Sequence, residues 1–127
     1  MTPADELRAA ADKLRHLAAT ASDDSGSPHW TATRHFPDQP DSGFTSLWAA
    51  GGRPLLAGGG GRGRPPAYVS APVGDYIAAM GPGVGAALAD WLTEYAASLD
   101  KATHPEWQET VAPRPLAVAR AILGGAR

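Results

Sequence analysis

The hydrophobic period of this chain changes twice along its length, and the order of those changes leaves few folds open. Leu7, Ala10, Leu14, Leu17 and Ala21 recur at spacings of three and four, one stripe of a helix. From His29 to Phe36 the pattern becomes an alternation, with Trp30, Ala32 and Phe36 on one side and Thr31, Thr33 and His35 on the other. From Val73 onward the helical period returns and persists to the end. Strands grouped together and followed by helices favour an α+β fold over a parallel sheet, which needs the two kinds of element to alternate. The expectation is an N-terminal helix, a small antiparallel meander of three to four strands, then three helices packed on the sheet.

Local signals place the boundaries. Thr2-Pro3-Ala4-Asp5 opens the first helix with a hydroxyl cap, a proline at the first helical position and an acid facing the dipole. Its apolar stripe is expected to dock on the sheet, and the turn formers from Ser22 to Pro28 end it. Segment 37–43 reads as a loop, Phe44–Ala50 as a second strand and Leu55–Ala57 as a short third, with Gly51-Gly52 supplying the positive φ of a tight hairpin. Gly58–Pro66 reads as a flexible Gly/Arg/Pro-rich loop, and Tyr68-Val69-Ser70 as a fourth, edge strand. Val73, Tyr76, Ile77 and Met80 form a short amphipathic helix. A longer one runs from Pro82 to about Lys101, with Val84, Leu88, Trp91, Leu92, Tyr95 and Leu99 on one face. Pro115–Leu123 forms the last, closed by Gly124-Gly125.

With 127 residues the chain has the length of one domain, 1–127, and 43% hydrophobic against 19% charged residues is a globular balance. The absence of cysteine excludes disulfides, thiolate metal sites and a thiol nucleophile. A formal charge of −2 provides no overall attraction to nucleic acid or an anionic membrane. No apolar run approaches the roughly 20 residues of a membrane span, so no membrane partner and a cytoplasmic location are expected. Arginine outnumbers lysine nine to two, and alanine, glycine and proline abound. This usage follows GC-rich codons, and it makes Gly/Arg/Pro strings common by chance.

Several motifs invite a chemical reading. Gly81-Pro82-Gly83-Val84-Gly85-Ala86 matches the spacing of a dinucleotide-binding turn, with Asp100 downstream. That chemistry needs a strand before the glycines and a second strand carrying the acid, whereas both flanks here have helical period. A close helix-to-helix turn is the reading adopted, and no cofactor is expected. Gly58–Gly61 lacks the Lys-Ser/Thr of a phosphate loop. Arg62-Gly63-Arg64-Pro65 resembles an AT-hook core, whose arginines enter the narrow minor groove of A·T-rich DNA. Arg62 and Arg64 are therefore the DNA-contact candidates, although two arginines alone give slight, salt-sensitive affinity.

His29 and His35 share a strand face but stand roughly 20 Å apart at strand rise, too far for one metal. His16 follows Asp12 by one helical turn and reads as a surface ion pair; His104 sits in a loop. Asp23, Asp24, Asp38 and Asp41 flank the first strand without the spacing of a calcium loop. No serine has the context of a nucleophile, so no catalytic or metal-ligating residue is assigned. Trp30, Trp48 and Trp91 are expected in the core, and Trp107, in the connection after Pro105, either caps the core's edge or is the candidate partner anchor.

Two segments carry a family resemblance over about half of the chain. Ser25-Gly26-Ser27-Pro28-His29-Trp30, after a Leu/Ala-rich helix, resembles the Thr-Pro-Gly-Pro-Trp signature of small actinobacterial and phage proteins, without its first proline. Tyr76-Ile77-Ala78-Ala79-Met80-Gly81-Pro82 resembles the Tyr-Ile-Ala-Ala-x-x-Pro segment of the same group, which is similar to the Ead-like phage early-region proteins. The resemblance implies no enzymatic activity, cofactor or catalytic residue. The expectation is a non-enzymatic binding or regulatory protein that acts through a protein partner or by self-association. Weak DNA binding through Arg62 and Arg64, or a hydrolase or ligand site formed only in the fold, are the alternatives.

Overall fold

The computed structural model describes residues 1–34, 43–58 and 67–124. Along the chain it contains α1 (Pro3–Ser25), β1 (Trp30–Arg34), β2 (Phe44–Ala49), β3 (Arg53–Pro54), β4 (Val69–Ser70), α2 (Ala71–Ala79), α3 (Pro82–Ala102), α4 (Pro105–Val111) and α5 (Pro113–Leu123). The fold is α+β: an N-terminal helix, an antiparallel four-stranded sheet, then helices. The described chain forms two compact units, one of Ala18–Val84 and one of Met1–Leu17 with Gly85–Arg127.

In the Ala18–Val84 unit, β2 is the central strand. It pairs antiparallel with β1 along one side, Trp30 opposite Ala49 through Arg34 opposite Thr45. Its other side is shared end to end by β3, opposite Trp48 and Ala49, and β4, opposite Phe44 and Thr45. The third strand is thus Arg53–Pro54, and Leu55–Ala57, expected to form it, lies past its end because the reversal at Gly51-Gly52 brings Arg53 straight back beside Ala49. Gly51 and Gly52, at φ of 100° and 95°, reverse the chain at once, and Gly52 N–H donates to Ala49 O. β1 ends at Arg34 in the described chain, so the expected extension through His35 and Phe36 lies outside it, as does most of the 58–66 loop.

Helix α2 lies on the face of the sheet that carries Leu47 and Ala49. It starts at Ala71, two residues before the first apolar position of its pattern, with Pro72 preset for the first turn. Gly74 is what lets it come so close. A Cβ there would stand 1.9 Å from Thr45 Oγ1 and 3.1 Å from Val69 Cγ2. Thr45 is 1% exposed, and its hydroxyl has no hydrogen-bond partner among the described residues. The turn into β1 is held by side chains: Trp30 Nε1 donates to Ser25 Oγ (3.0 Å), Ser25 Oγ to Ser27 O (3.0 Å), and His29 N to Ser27 Oγ (3.0 Å).

The second unit is all helical, and its buried core consists of alanine and leucine alone: Ala4, Leu7, Ala10, Ala11, Ala89, Leu92, Ala96, Leu99, Ala112, Leu116 and Ala119. The α1 stripe therefore buries its first three turns among helices rather than on the sheet. On α3 the buried seam is Ala89, Leu92, Ala96 and Leu99, a 3-4-3 spacing that favours close, nearly antiparallel packing. The neighbouring seam, with Val84, Leu88, Trp91 and Tyr95, is only partly covered. Trp91, expected in the core, is 40% exposed, and Leu17 on α1 is 52% exposed. Small side chains win the contact because they let helix backbones approach.

Helix α4, absent from the sequence reading, exists because Pro105 occupies its first turn and His104 caps it, Nδ1 accepting from Glu106 N (3.4 Å). Its fully buried Gln108 ties three helices together. Gln108 Oε1 accepts from Ala4 N (3.0 Å), an unpaired donor at the start of α1. Its Nε2 donates to Thr103 O (3.2 Å), just past the end of α3, and to Asp100 Oδ1 (3.2 Å).

Two substitutions test this packing. Gln108→Ala strands the buried Ala4 N–H, leaves a cavity, and is expected to cost about 2–4 kcal/mol in urea denaturation. Gly74→Ala is expected to cost about 1–3 kcal/mol through overpacking, despite alanine's better helix propensity. Thr45→Ala removes the clashing oxygen, so the double variant should lose measurably less than the sum of the singles; strict additivity would contradict the Gly74–Thr45 contact.

Candidate functional site

Exposed apolar side chains, rather than converging polar groups, distinguish the surface. On α2, Gly74 and Ile77 face the sheet, which turns Val73 and Tyr76 outward at i and i+3, and Met80 at the C-cap is exposed beside them. Tyr76 is 68% exposed. At the β2–β4 end of the sheet, Phe44 and Tyr68 make an edge-to-face pair with centroids 5.0 Å apart. Both are about half exposed.

In the helical unit, Gln108 and Ala112 point inward from α4 and its C-terminal end, so Trp107 and Val111, one residue back from each, point out. Trp107 is 59% exposed, which makes it a surface residue rather than the lid of a core. On α3, Trp91 meets Tyr95 edge to face at 5.9 Å. Arg62 and Arg64 lie outside the described residues.

The remaining candidates take structural positions. Gly81 to Ala86 forms the α2–α3 turn and the first turn of α3, with a helix on either side. Gly83 N–H donates to Pro28 O (2.8 Å), and a Cβ at Gly83 would meet that oxygen at 3.2 Å, so the turn serves close approach. Asp100 belongs to α3 itself. Asp12 pairs with Arg15 (3.4 Å) instead of His16. His104 is the α4 cap, not a loop residue. Asp38, Asp41 and His35 are outside the described chain; His29, Asp23 and Asp24 are exposed. Among the described residues no three His, Asp or Glu side chains gather as a metal site requires. No described helix is long and apolar enough to cross a membrane.

The ionised groups that interact strongly do so around the helical core. Arg8 binds Asp100 across α1 and α3, and Arg15 reaches Asp90 (3.3 Å) further along the same pair. Arg120 on α5 forks onto Glu6 (3.2 and 3.1 Å) and also meets Glu109. Lys13 Nζ donates to Ile122 O (2.9 Å) near the end of α5. Hydrogen bonds from Arg8 and then Gln108 hold the Asp100 carboxyl below its ordinary 3.8. The backbone N–H of Thr2, then its hydroxyl, does the same for Asp5. In that capping box Thr2 N donates to Asp5 Oδ2 (3.1 Å) and Asp5 N to Thr2 Oγ1 (3.1 Å). Both Arg8 and Arg120 are held even more firmly in their charged forms by these carboxylates.

Comparison with protein-family models, curated proteins and solved structures found no match to this chain.

The lowered carboxylates set the sign of the acid response. A depressed folded-state pKa adds stability above the unfolded value, and that stability is lost as pH falls through the folded one. Asp100→Asn should therefore lower Tm at pH 7, and the gap to wild type should close as pH drops below 3.8, the ordinary aspartate value. A gap unchanged from pH 7 to pH 2 would show that the Arg8–Asp100 pairing does not act through charge.

Proposed function

We propose that this chain is a non-enzymatic binding or regulatory protein that works through its surface, on a protein partner or on its own copies. The observation that carries this reading is the outward row of Val73 and Tyr76 on a nine-residue helix, continued by Met80 at its C-cap, with the opposite side locked onto the sheet. Helix faces of this spacing are how amphipathic segments present anchors to a partner, and aromatic residues such as tyrosine and tryptophan dominate binding hot spots. Trp107 with Val111 is a second, smaller anchor of the same kind. The polar groups support no rival reading of equal weight. Among the described residues, Arg8, Arg15 and Arg120 are engaged with acids of facing helices.

The Ead-like resemblance is consistent with this reading and adds no chemistry to it. Tagged wild-type protein, a Val73→Ser/Tyr76→Ser/Met80→Ser variant and Trp107→Ala should be compared by crosslinking and mass spectrometry in a host lysate. The triple variant is expected to keep its helical circular dichroism and lose at least tenfold of the specifically crosslinked species. Trp107→Ala is expected to lose less. Equal crosslinking by all three proteins would overturn the assignment of these surfaces.

A further inference from the structure

The backbone of β1 carries a pairing surface that matches a second copy of itself. Three hydrogen bonds set its phase. Ala50 N donates to His29 O, which turns His29, and with it Thr31 and Thr33, toward β2. On β2, Leu47 O accepts from Leu55 N and Gly43 O from Ala71 N, so the odd-numbered residues of β2 face β3 and β4. Ala32 lies opposite Leu47 and Trp30 opposite Ala49. The N–H and C=O groups of Trp30, Ala32 and Arg34 therefore point away from β2. Among the described residues β1 has β2 as its only strand neighbour, and no backbone bond reaches those three residues from elsewhere. The α2–α3 turn meets this edge at Pro28, whose carbonyl accepts from Gly83 N–H.

The two edges of the sheet are also unlike. The β3/β4 side is blunted by strands of two residues each and by Pro54. The β1 side is five residues of Trp-Thr-Ala-Thr-Arg with no proline, no glycine and no charge before its last residue. Sheet edges are normally protected by such devices, and an unprotected one is a template for another strand.

We propose that β1 pairs antiparallel with β1 of a second copy about a two-fold axis through Ala32, which rests on the reading of this chain as a binding protein. Ala32 is the centre that the hydrogen-bond phase allows, because it is an outward-facing residue. Ala32 then meets Ala32 of the second copy as a hydrogen-bonded pair, and Trp30 meets Arg34 in the same way at both ends. The side chains agree with that register. Trp30 stands opposite a guanidinium twice, an aromatic–cation pairing, and Thr31 stands opposite Thr33, a favourable cross-strand pair. Arg34 is placed for it: Nη2 holds Asp75 at 3.2 Å, and its side chain stays 39% exposed. A second copy is thus preferred to an unrelated strand because one five-residue segment satisfies both halves of the register.

Thr31 and Thr33 are exposed, so charge can be placed there without disturbing the core. Thr31→Lys/Thr33→Lys sets lysine against lysine at both crossings, whereas Thr31→Lys/Thr33→Glu sets lysine against glutamate. Analytical ultracentrifugation of the full chain from 1 to 200 µM is expected to show a dimer for wild type. The double-lysine variant should dissociate at least tenfold more readily, and the Lys/Glu variant should remain dimeric, with matching circular dichroism throughout. Monomeric wild type across this range overturns the proposal and leaves the lysate experiment to decide the broader reading. A dimer indifferent to the double lysine also overturns β1 pairing, but keeps self-association through another surface.

Discussion

The amide of Gln108 is the interaction on which the helical unit depends. Both ends of that amide are used on groups a helix cannot satisfy for itself, a free N–H at the start of α1 and a carbonyl beyond the end of α3. The core around it is made of alanine and leucine, which bring helices close but offer little directional information. A buried amide of this kind supplies the missing direction, since only one register of α1, α3 and α4 pairs all its atoms. Arg8–Asp100 and the Arg120 fork onto Glu6 extend the same logic to the surface, where each pair alone would contribute little.

In the sheet unit the comparable constraint is steric. Gly74 takes α2 against Thr45 at a distance no other residue permits, and the cost is a buried hydroxyl without a partner among the described residues. Fixing the inner side of α2 this tightly decides what its outer side presents. Val73, Tyr76 and Met80 are exposed because Gly74 and Ile77 are turned inward, not because that stretch of sequence is polar. The same helix therefore carries both the close sheet contact and the exposed apolar row.

Much of the site was hidden in the sequence for reasons of size and length. Trp91 carries the largest apolar side chain on α3, and a face drawn by hydrophobicity passes through it. Helix-to-helix contact instead selects Ala89 and Ala96, because two backbones approach over small residues. Leu17 on α1 was misplaced by the same preference for bulk. Helix α4 is too short to show a period, yet its start signals, Pro105 in the first turn and Glu106 beside the dipole, were present. Trp107 is exposed rather than capping the core's edge because Gln108 points inward, which no local pattern reveals.

By itself the sequence determined the α+β order, the first and third helices, the Gly51-Gly52 reversal and the central strand. These rest on periodicity and on backbone preferences confined to a few neighbouring residues. Tertiary structure alone decided that β2 is flanked by β1 on one side and by two short strands on the other. It also decided which of two α3 seams is buried and which backbone groups of β1 face outward. Those outcomes depend on register between segments distant in the chain, and a shift of one residue would turn every side chain and every hydrogen-bonding group to the opposite side.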